Sequence, residues 1–271
     1  MSIVAFIPAR YASSRFPGKP LAMLKGISML QRVWASARAV SGLADVYIAT
    51  DDLRIAEAAK GFGASVVMTA ADIANGTLRV LAAAETLKTR PTHVINVQGD
   101  AVLTPPWVIA TLAEAQRAQP EVDIFTPATR FSRESHQHFL EQKMLSPSSG
   151  TTVTFDRDHR ALYFSKSVIP YVRAGVDAPP VYRHIGMYAY RLDALQRYVK
   201  LPEGQFERAE KLEQLRALEN GMAIKVVEVD YQGRTHWSID SPEDLRAAEA
   251  LIDREGELLP VYDGSYRWSN A

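Results

Sequence analysis

Three cations, Arg10, Arg15 and Lys19, fall within ten residues in the run Pro8-Ala9-Arg10-Tyr11-Ala12-Ser13-Ser14-Arg15-Phe16-Pro17-Gly18-Lys19-Pro20. The Ser13 and Ser14 hydroxyls and a series of backbone N–H groups lie among them. A guanidinium binds phosphate oxygens bidentately, and an ammonium follows them as a compact charge. A loop of this make-up suits a triphosphate, with Pro8, Ser13 and Arg15 in the set beside Arg10 and Lys19. The other reading is a basic, solvated surface loop. Pro17 and Gly18, set among the cations, favour a loop of fixed shape over a merely soluble one. The run lacks the GxxxxGK[ST] spacing of a Walker loop and the GxGxxG of a dinucleotide fingerprint.

Two aspartates could hold a hard cation. Magnesium takes one or two carboxylates together with phosphate oxygens and water. Asp100 ends the apolar run that leads to Gln98-Gly99, and Asp240 precedes Ser241-Pro242. Either could instead serve a local purpose, Asp100 in a turn and Asp240 at a helix cap. The six histidines give no metal-ligand spacing, and no nucleophile elbow or Ser-His-Asp order is present. With no cysteine in the chain, thiolate metal sites and a cysteine nucleophile are excluded.

The elements that must position these residues follow from hydrophobic periodicity. Short apolar runs at 3–7, 46–49, 65–68 and 94–97 alternate with helical patterns at 29–39, 55–62, 78–87 and 107–118. Repeated strand–helix alternation predicts a doubly wound, mostly parallel α/β sheet. Ligands of such sheets bind outside the carboxyl ends of the strands, where the basic loop and Asp100 fall. From 123 to 190 the strand-like pieces (124–128, 151–155, 161–164, 186–190) are separated by polar loops rather than clear amphipathic helices. That change predicts a smaller mixed α/β lobe. A helix is expected over 208–219, a strand over 223–229 and a last helix from Pro242 with Ser241 as its N-cap. The predicted organisation is an α/β core of 1–122 plus 222–256, a smaller lobe of 123–221, and a tail of 257–271.

Thirty-one basic residues balance thirty-one acidic ones among 271 residues. No bulk field draws in nucleic acid or an anionic membrane, so an anionic ligand must be held by local donors. No apolar run approaches the roughly 20 residues of a spanning helix, and the first apolar run is too short for a signal peptide. No membrane insertion and a cytoplasmic location are expected.

Seven ordered motifs resemble the 3-deoxy-manno-octulosonate (Kdo) cytidylyltransferase family. They are the loop from Ile7 to Leu21, Ile48-Ala49-Thr50-Asp51-Asp52, Asn96-Val97-Gln98-Gly99-Asp100, Ala161-Leu162-Tyr163-Phe164-Ser165-Lys166, Arg183-His184-Ile185-Gly186, Lys211-Leu212-Glu213-Gln214-Leu215-Arg216 and Asp240-Ser241-Pro242-Glu243-Asp244. The resemblance implies a nucleotide-diphospho-sugar transferase-like Rossmann-type core with a smaller lobe that carries homodimer contacts. It implies that Ala9, Arg10 and Lys19 hold CTP, that Asn75, Gly76, Arg79 and Gln98 lie on the nucleotide side, and that Asp100 and Asp240 hold Mg2+. Arg10, Lys19 and Asp100 are the implied catalytic groups. Gln98, Lys166, His184, Tyr188, Glu213 and Gln214 are implied to line the pocket of an acidic 3-deoxy-2-keto sugar. The implied reaction is transfer of CMP from CTP to the anomeric hydroxyl of that sugar, with release of pyrophosphate, for lipopolysaccharide or capsule synthesis.

Three departures bear on the sugar. The family's serine and acid after the third strand are here Asn75 and Leu78, its Gly-Asp-Glu-Pro is Gly99-Asp100-Ala101-Val102, and its Asn-x-Val-Lys is replaced by Ser149-Gly150-Thr151-Thr152-Val153-Thr154. They leave open drift at tolerant positions, a related sugar such as 8-amino-Kdo, and a non-catalytic paralogue that binds a sugar nucleotide.

Overall fold

The computed structural model describes residues 1–12, 16–173, 176 and 180–259, which form two compact units, Met1–Glu114 with Tyr231–Ala271, and Ala115–Asp230.

In the first unit β1 (Ile3–Ala9) is the central strand. It pairs in parallel with β4 (Asp45–Thr50) on one edge and β6 (His93–Asn96) on the other, and β5 (Ser65–Met68) extends the sheet beyond β4, again in parallel. The spatial order β5-β4-β1-β6 reverses direction at β1 and β6. At such a switch point the loops leaving neighbouring strands diverge and open a crevice at their carboxyl ends. Helices α1 (Met29–Arg38), α2 (Leu53–Gly61) and α3 (Gly76–Thr86) follow the strands, and α9 (Pro242–Glu255) closes the described chain. A short hairpin, β2 (Met23–Leu24) and β3 (Ile27–Ser28), precedes α1. Phe6, Ile7, Ile48 and Ile95 are fully buried, which is why these strands read as continuous apolar runs. Helix α4 (Pro106–Ala118) runs across the boundary in sequence.

In the second unit β7 (Ile124–Arg130) pairs antiparallel with β11 (Tyr188–Arg191) and β10 (Tyr182–His184) and in parallel with β12 (Ile224–Glu228). Strand β8 (Thr152–Phe155) joins β10, and β9 (Ala161–Ser165) joins β8, both antiparallel. The mixed sheet expected for this lobe is present. On sequence, β12 is grouped with the nucleotide core; here it lies alongside β7.

Two elements differ from the periodicity reading. Residues read as polar loop form α5 (Arg133–Leu145), capped by Ser132, whose hydroxyl accepts the Ser135 N–H. Phe139 is its only buried residue, so the helix carries no apolar stripe. Phe139 packs with Phe131 and Val181, and that contact replaces the missing stripe. The helix expected over 208–219 is divided into α7 (Gln205–Glu210) and α8 (Gln214–Glu219) by Lys211, whose φ of 54° is left-handed. Strand β10 and helix α6 (Leu192–Tyr198) complete the lobe.

The predicted tail begins with Glu257, which accepts two hydrogen bonds of 2.9 Å from Nη1 of the buried Arg32 on α1. The rest of it from 260 lies outside the described residues. No helix among the described residues is long and apolar enough to cross a membrane.

Candidate active site

A cavity of about 320 Å³ opens at the carboxyl ends of β1 and β6, lined among others by Pro8, Ala9, Arg10, Lys19, Asn75, Gly76, Arg79, Gln98, Asp100 and Asp240. All of the nucleotide and metal residues named from sequence are here except Ser13 and Arg15, which lie outside the described residues. Strand β1 delivers Ala9 and Arg10. The loop then folds back, with the Gly18 N–H donating to the Tyr11 carbonyl at 3.0 Å. Gly18 has φ 72°, and a Cβ there would meet the Tyr11 ring at 3.1 Å; glycine is the residue that meets both demands. The fold-back leads directly into the turn Lys19–Leu21.

The Lys19 ammonium is the centre of the constellation. It lies 3.3 Å from Asp100 Oδ2 and 3.2 Å from Asp240 Oδ1, and it donates to the Ile239 carbonyl. Asp100 follows β6, and its carbonyl accepts the Ile239 N–H at 3.2 Å, which fixes the Asp240 backbone beside it. The capping of α9 is carried by the Ser241–Asp244 pair, with Ser241 as the N-cap as expected, and not by Asp240. Asp244 Oδ2 accepts the N–H of Asp240 and of Ser241, and the Ser241 hydroxyl accepts the Asp244 N–H. The Asp240 carboxylate is thereby turned toward Lys19. This separates the two roles that sequence left open for Asp240.

The segment before α3 closes the other wall. Asn75 is the N-cap, its Oδ1 accepting the Leu78 N–H at 2.9 Å. Serine and asparagine both serve as N-caps, so the departure at this position preserves the helix start. Gly76 allows close approach to β1, since a Cβ there would stand 3.1 Å from Pro8 Cγ. Arg79 is buried, with Nη1 3.1 Å from Asp51 Oδ1 and donating to the Thr69 hydroxyl at 2.5 Å. It ties α3 to the segments that follow β4 and β5 while still lining the cavity. Sequence reasoning assigned no role to Asp51 or Thr69; the Thr50-Asp51-Asp52 motif was the available signal.

Among the described residues no group of three or more His, Asp or Glu side chains could hold a metal on its own. The donor set is two carboxylates next to a cationic loop. It fits magnesium, which commonly completes its shell with phosphate oxygens and water.

The second unit holds Lys166, His184, Tyr188, Glu213 and Gln214. Lys166 follows β9, and its N–H donates to Glu210 Oε2 at 2.8 Å. His184 is buried, and burial followed by the Lys166 charge pushes it down to about 3, so it is neutral. The Thr126 hydroxyl donates to the Met187 carbonyl at 2.8 Å and lies 2.8 Å from His184 Nε2. With the hydroxyl proton so used, Nε2 must be the donor, which leaves Nδ1 as an acceptor. Burial, then Glu213 and Tyr198, raises Tyr188 well above the usual phenol range. Its ring stands 5.6 Å from that of His184. Gln214 is 5% exposed, and its Nε2 has no hydrogen-bond partner. A buried amide donor left in this way is costly unless something polar meets it.

A parallel sheet with a triphosphate-sized cavity at its switch point, flanked by a cationic loop and paired carboxylates, defines a nucleotide-binding α/β protein. The family model described as Cytidylyltransferase matches residues 4–224, and the chain belongs to that family. It is 50% identical over 259 residues, covering 96% of this chain and all of the relative, to a protein named 3-deoxy-manno-octulosonate cytidylyltransferase from Maricaulis maris. It is 44% identical, over 93% of this chain and 99% of the relative, to one named 8-amino-3,8-dideoxy-manno-octulosonate cytidylyltransferase from Shewanella pealeana. A solved structure of CMP:2-keto-3-deoxy-manno-octonic acid synthetase complexed with CTP matches with a TM-score of 0.83 at 37% identity, covering 94% of this chain and 100% of that one.

Proposed function

We propose that this protein transfers CMP from CTP to the anomeric hydroxyl of 3-deoxy-manno-octulosonate or a close analogue and releases pyrophosphate. The observation that carries this reading is the meeting of Lys19, Asp100 and Asp240 at the switch-point cavity, in a chain half identical to a Kdo cytidylyltransferase. The sugar hydroxyl oxygen attacks the α-phosphorus in line. The new P–O bond forms as the bond to the pyrophosphate oxygen breaks, and the hydroxyl proton passes to water. Arg10 and Lys19 draw in the triphosphate and neutralise charge on the departing pyrophosphate. Backbone groups of Ala9 and of Asn75-Gly76 take the nucleoside. Asp100 and Asp240 would hold magnesium, which when bound supplies further charge neutralisation at the phosphates. Lys166, His184, Tyr188, Glu213 and Gln214 bind the sugar, with Gln98 on both sides of the reaction. The His184 Nδ1 acceptor and the Gln214 amide donor suit a polyhydroxylated ligand.

The same reading makes the protein a cytoplasmic homodimer supplying lipopolysaccharide or capsule synthesis. Light scattering of the purified chain tests the dimer. A second substrate, the 8-amino-3,8-dideoxy sugar, is favoured by the relative from Shewanella pealeana. Pyrophosphate release with CTP, magnesium and each sugar in turn decides between the two by the ratio of kcat/KM. No release with any 3-deoxy-2-keto acid would sink the proposal. Asp100→Ala and Asp240→Ala should each lower turnover by about 100-fold or more with the fold retained; near-normal turnover in either removes it from the metal set.

A further inference from the structure

Helix α5, which periodicity did not reveal, carries a lysine whose three donors are all committed. Lys143 Nζ donates to the Pro147 carbonyl at 3.0 Å, to the Gly150 carbonyl at 3.2 Å and to the Lys166 carbonyl. An ammonium has three N–H groups, so this one closes the turn after α5 and fastens it to the end of β9. The other side of Lys166 is held as well, its N–H on Glu210 Oε2 at 2.8 Å, while Glu210 Oε1 accepts from the Ser165 hydroxyl at 2.7 Å. Thr152 secures the flanking carbonyl, its hydroxyl donating to Ser167 O at 2.7 Å. Opposite charges from two helices therefore grip the peptide groups on either side of one residue.

The surroundings hold Lys143 in place. Its ammonium lies 5.3 Å from the centre of the buried Phe139 ring, and the Arg183 guanidinium lies 5.5 Å from the same ring. Gly150 has φ 63°, and a Cβ there would fall 2.6 Å from Phe139, so the turn can pass over the ring only as glycine.

We propose that Lys143 and Glu210 are positioning residues that clamp Lys166 from both sides of its backbone and so aim its side chain for the acidic sugar. The inference rests on the reading of this lobe as the sugar site. The clamp is sensitive to pH. Burial first, then Lys166 on β9's end and Arg183 on β10, push Lys143 down to about 8, and Glu210 on α7 opposes them. Above that pH the ammonium loses a proton and one of its three hydrogen bonds. A carboxylate arriving at Lys166 favours the protonated form, so sugar binding takes up protons near pH 8.

The test is steady-state pyrophosphate release with CTP and the preferred sugar, across about pH 7 to 9, for wild type, Lys143→Met, Lys143→Arg and Glu210→Gln. Misplacement of a substrate-facing group by a fraction of an ångström should raise the sugar KM about tenfold or more in Lys143→Met and Glu210→Gln, with the KM for CTP unchanged. The wild-type sugar KM should rise with pH through about 8. That rise should vanish in Lys143→Met and in Lys143→Arg, whose guanidinium stays charged. If Lys143→Met does not fold, the Lys143→Arg profile decides. A wild-type sugar KM in Lys143→Met, or a wild-type rise with pH in Lys143→Arg, overturns the inference while leaving the proposed function intact. A wild-type enzyme inactive on every such sugar removes both.

Discussion

Lys19→Met removes the ammonium held between Asp100 and Asp240 and keeps most of the side chain's volume. The carboxylates are 33% and 43% exposed, so each ion pair contributes only about 0.5 kcal/mol. The Lys19 side chain is 17% exposed, and its hydrogen bond to the Ile239 carbonyl adds about 1.5 kcal/mol as a charged donor. The loss is about 2.5 kcal/mol, which at about 2–4 °C per kcal/mol for a chain this long lowers the thermal midpoint by about 5–10 °C. The variant also leaves two carboxylates without the cation they share. Added Mg2+ or Mn2+, without nucleotide, should therefore raise the midpoint of Lys19→Met more than that of wild type. Turnover with CTP should fall by about 100-fold or more through loss of a charge-assisted phosphate contact. Differential scanning fluorimetry with and without metal, paired with pyrophosphate release, gives all three numbers. A variant with a wild-type midpoint, no added response to metal and kcat/KM near wild type would refute the geometry from which these values come.

Asp244→Ala deletes the acceptor for the Asp240 and Ser241 N–H groups. It should cost about 1–2 kcal/mol of stability as a lost cap and also lower turnover by releasing Asp240; urea unfolding and kinetics on the same sample show whether the two effects travel together. His184 is held neutral with its ionisation pushed down to about 3, whereas an unfolded histidine titrates near 6.5. The unfolded chain binds the extra proton between those values, so stability is full above about pH 6.5 and falls as pH drops toward 3, by about 2 kcal/mol at pH 5. His184→Gln should flatten this part of the pH dependence, and an unchanged acid slope in urea midpoints would contradict the buried neutral state. Phe139→Ala removes the one buried side chain of α5 and should destabilise by about 3–5 kcal/mol, measured by chemical denaturation. Little change would mean that α5 is held by something other than its ring.

Much of the core was legible because its determinants are local. The run at 3–7 is apolar throughout and buried in β1, and the run at 94–97 departs from that only at the buried Asn96. The breaks at Pro8 and at Gln98-Gly99-Asp100 mark the carboxyl ends where ligands of parallel sheets bind. Ser241-Pro242 with Asp244 announces the start of α9 by residue type alone. The lobe was less readable. Helix α5 is polar around most of its circumference, and its single anchor, Phe139, has partners at Phe131 and Val181. The division at Lys211 depends on a backbone conformation that periodicity does not register, and it leaves Glu210 at the end of α7, where its side chain meets Ser165 and Lys166.

The sequence by itself determined the alternation of elements, the chemistry of the loop with Arg10 and Lys19, and the two carboxylates suited to a hard cation. Only the tertiary structure brought Lys19 onto Asp100 and Asp240, 81 and 221 residues away. It also decided that His184 is neutral and that Lys143 grips Lys166, because burial and charge proximity depend on distances between segments that the order of residues does not encode.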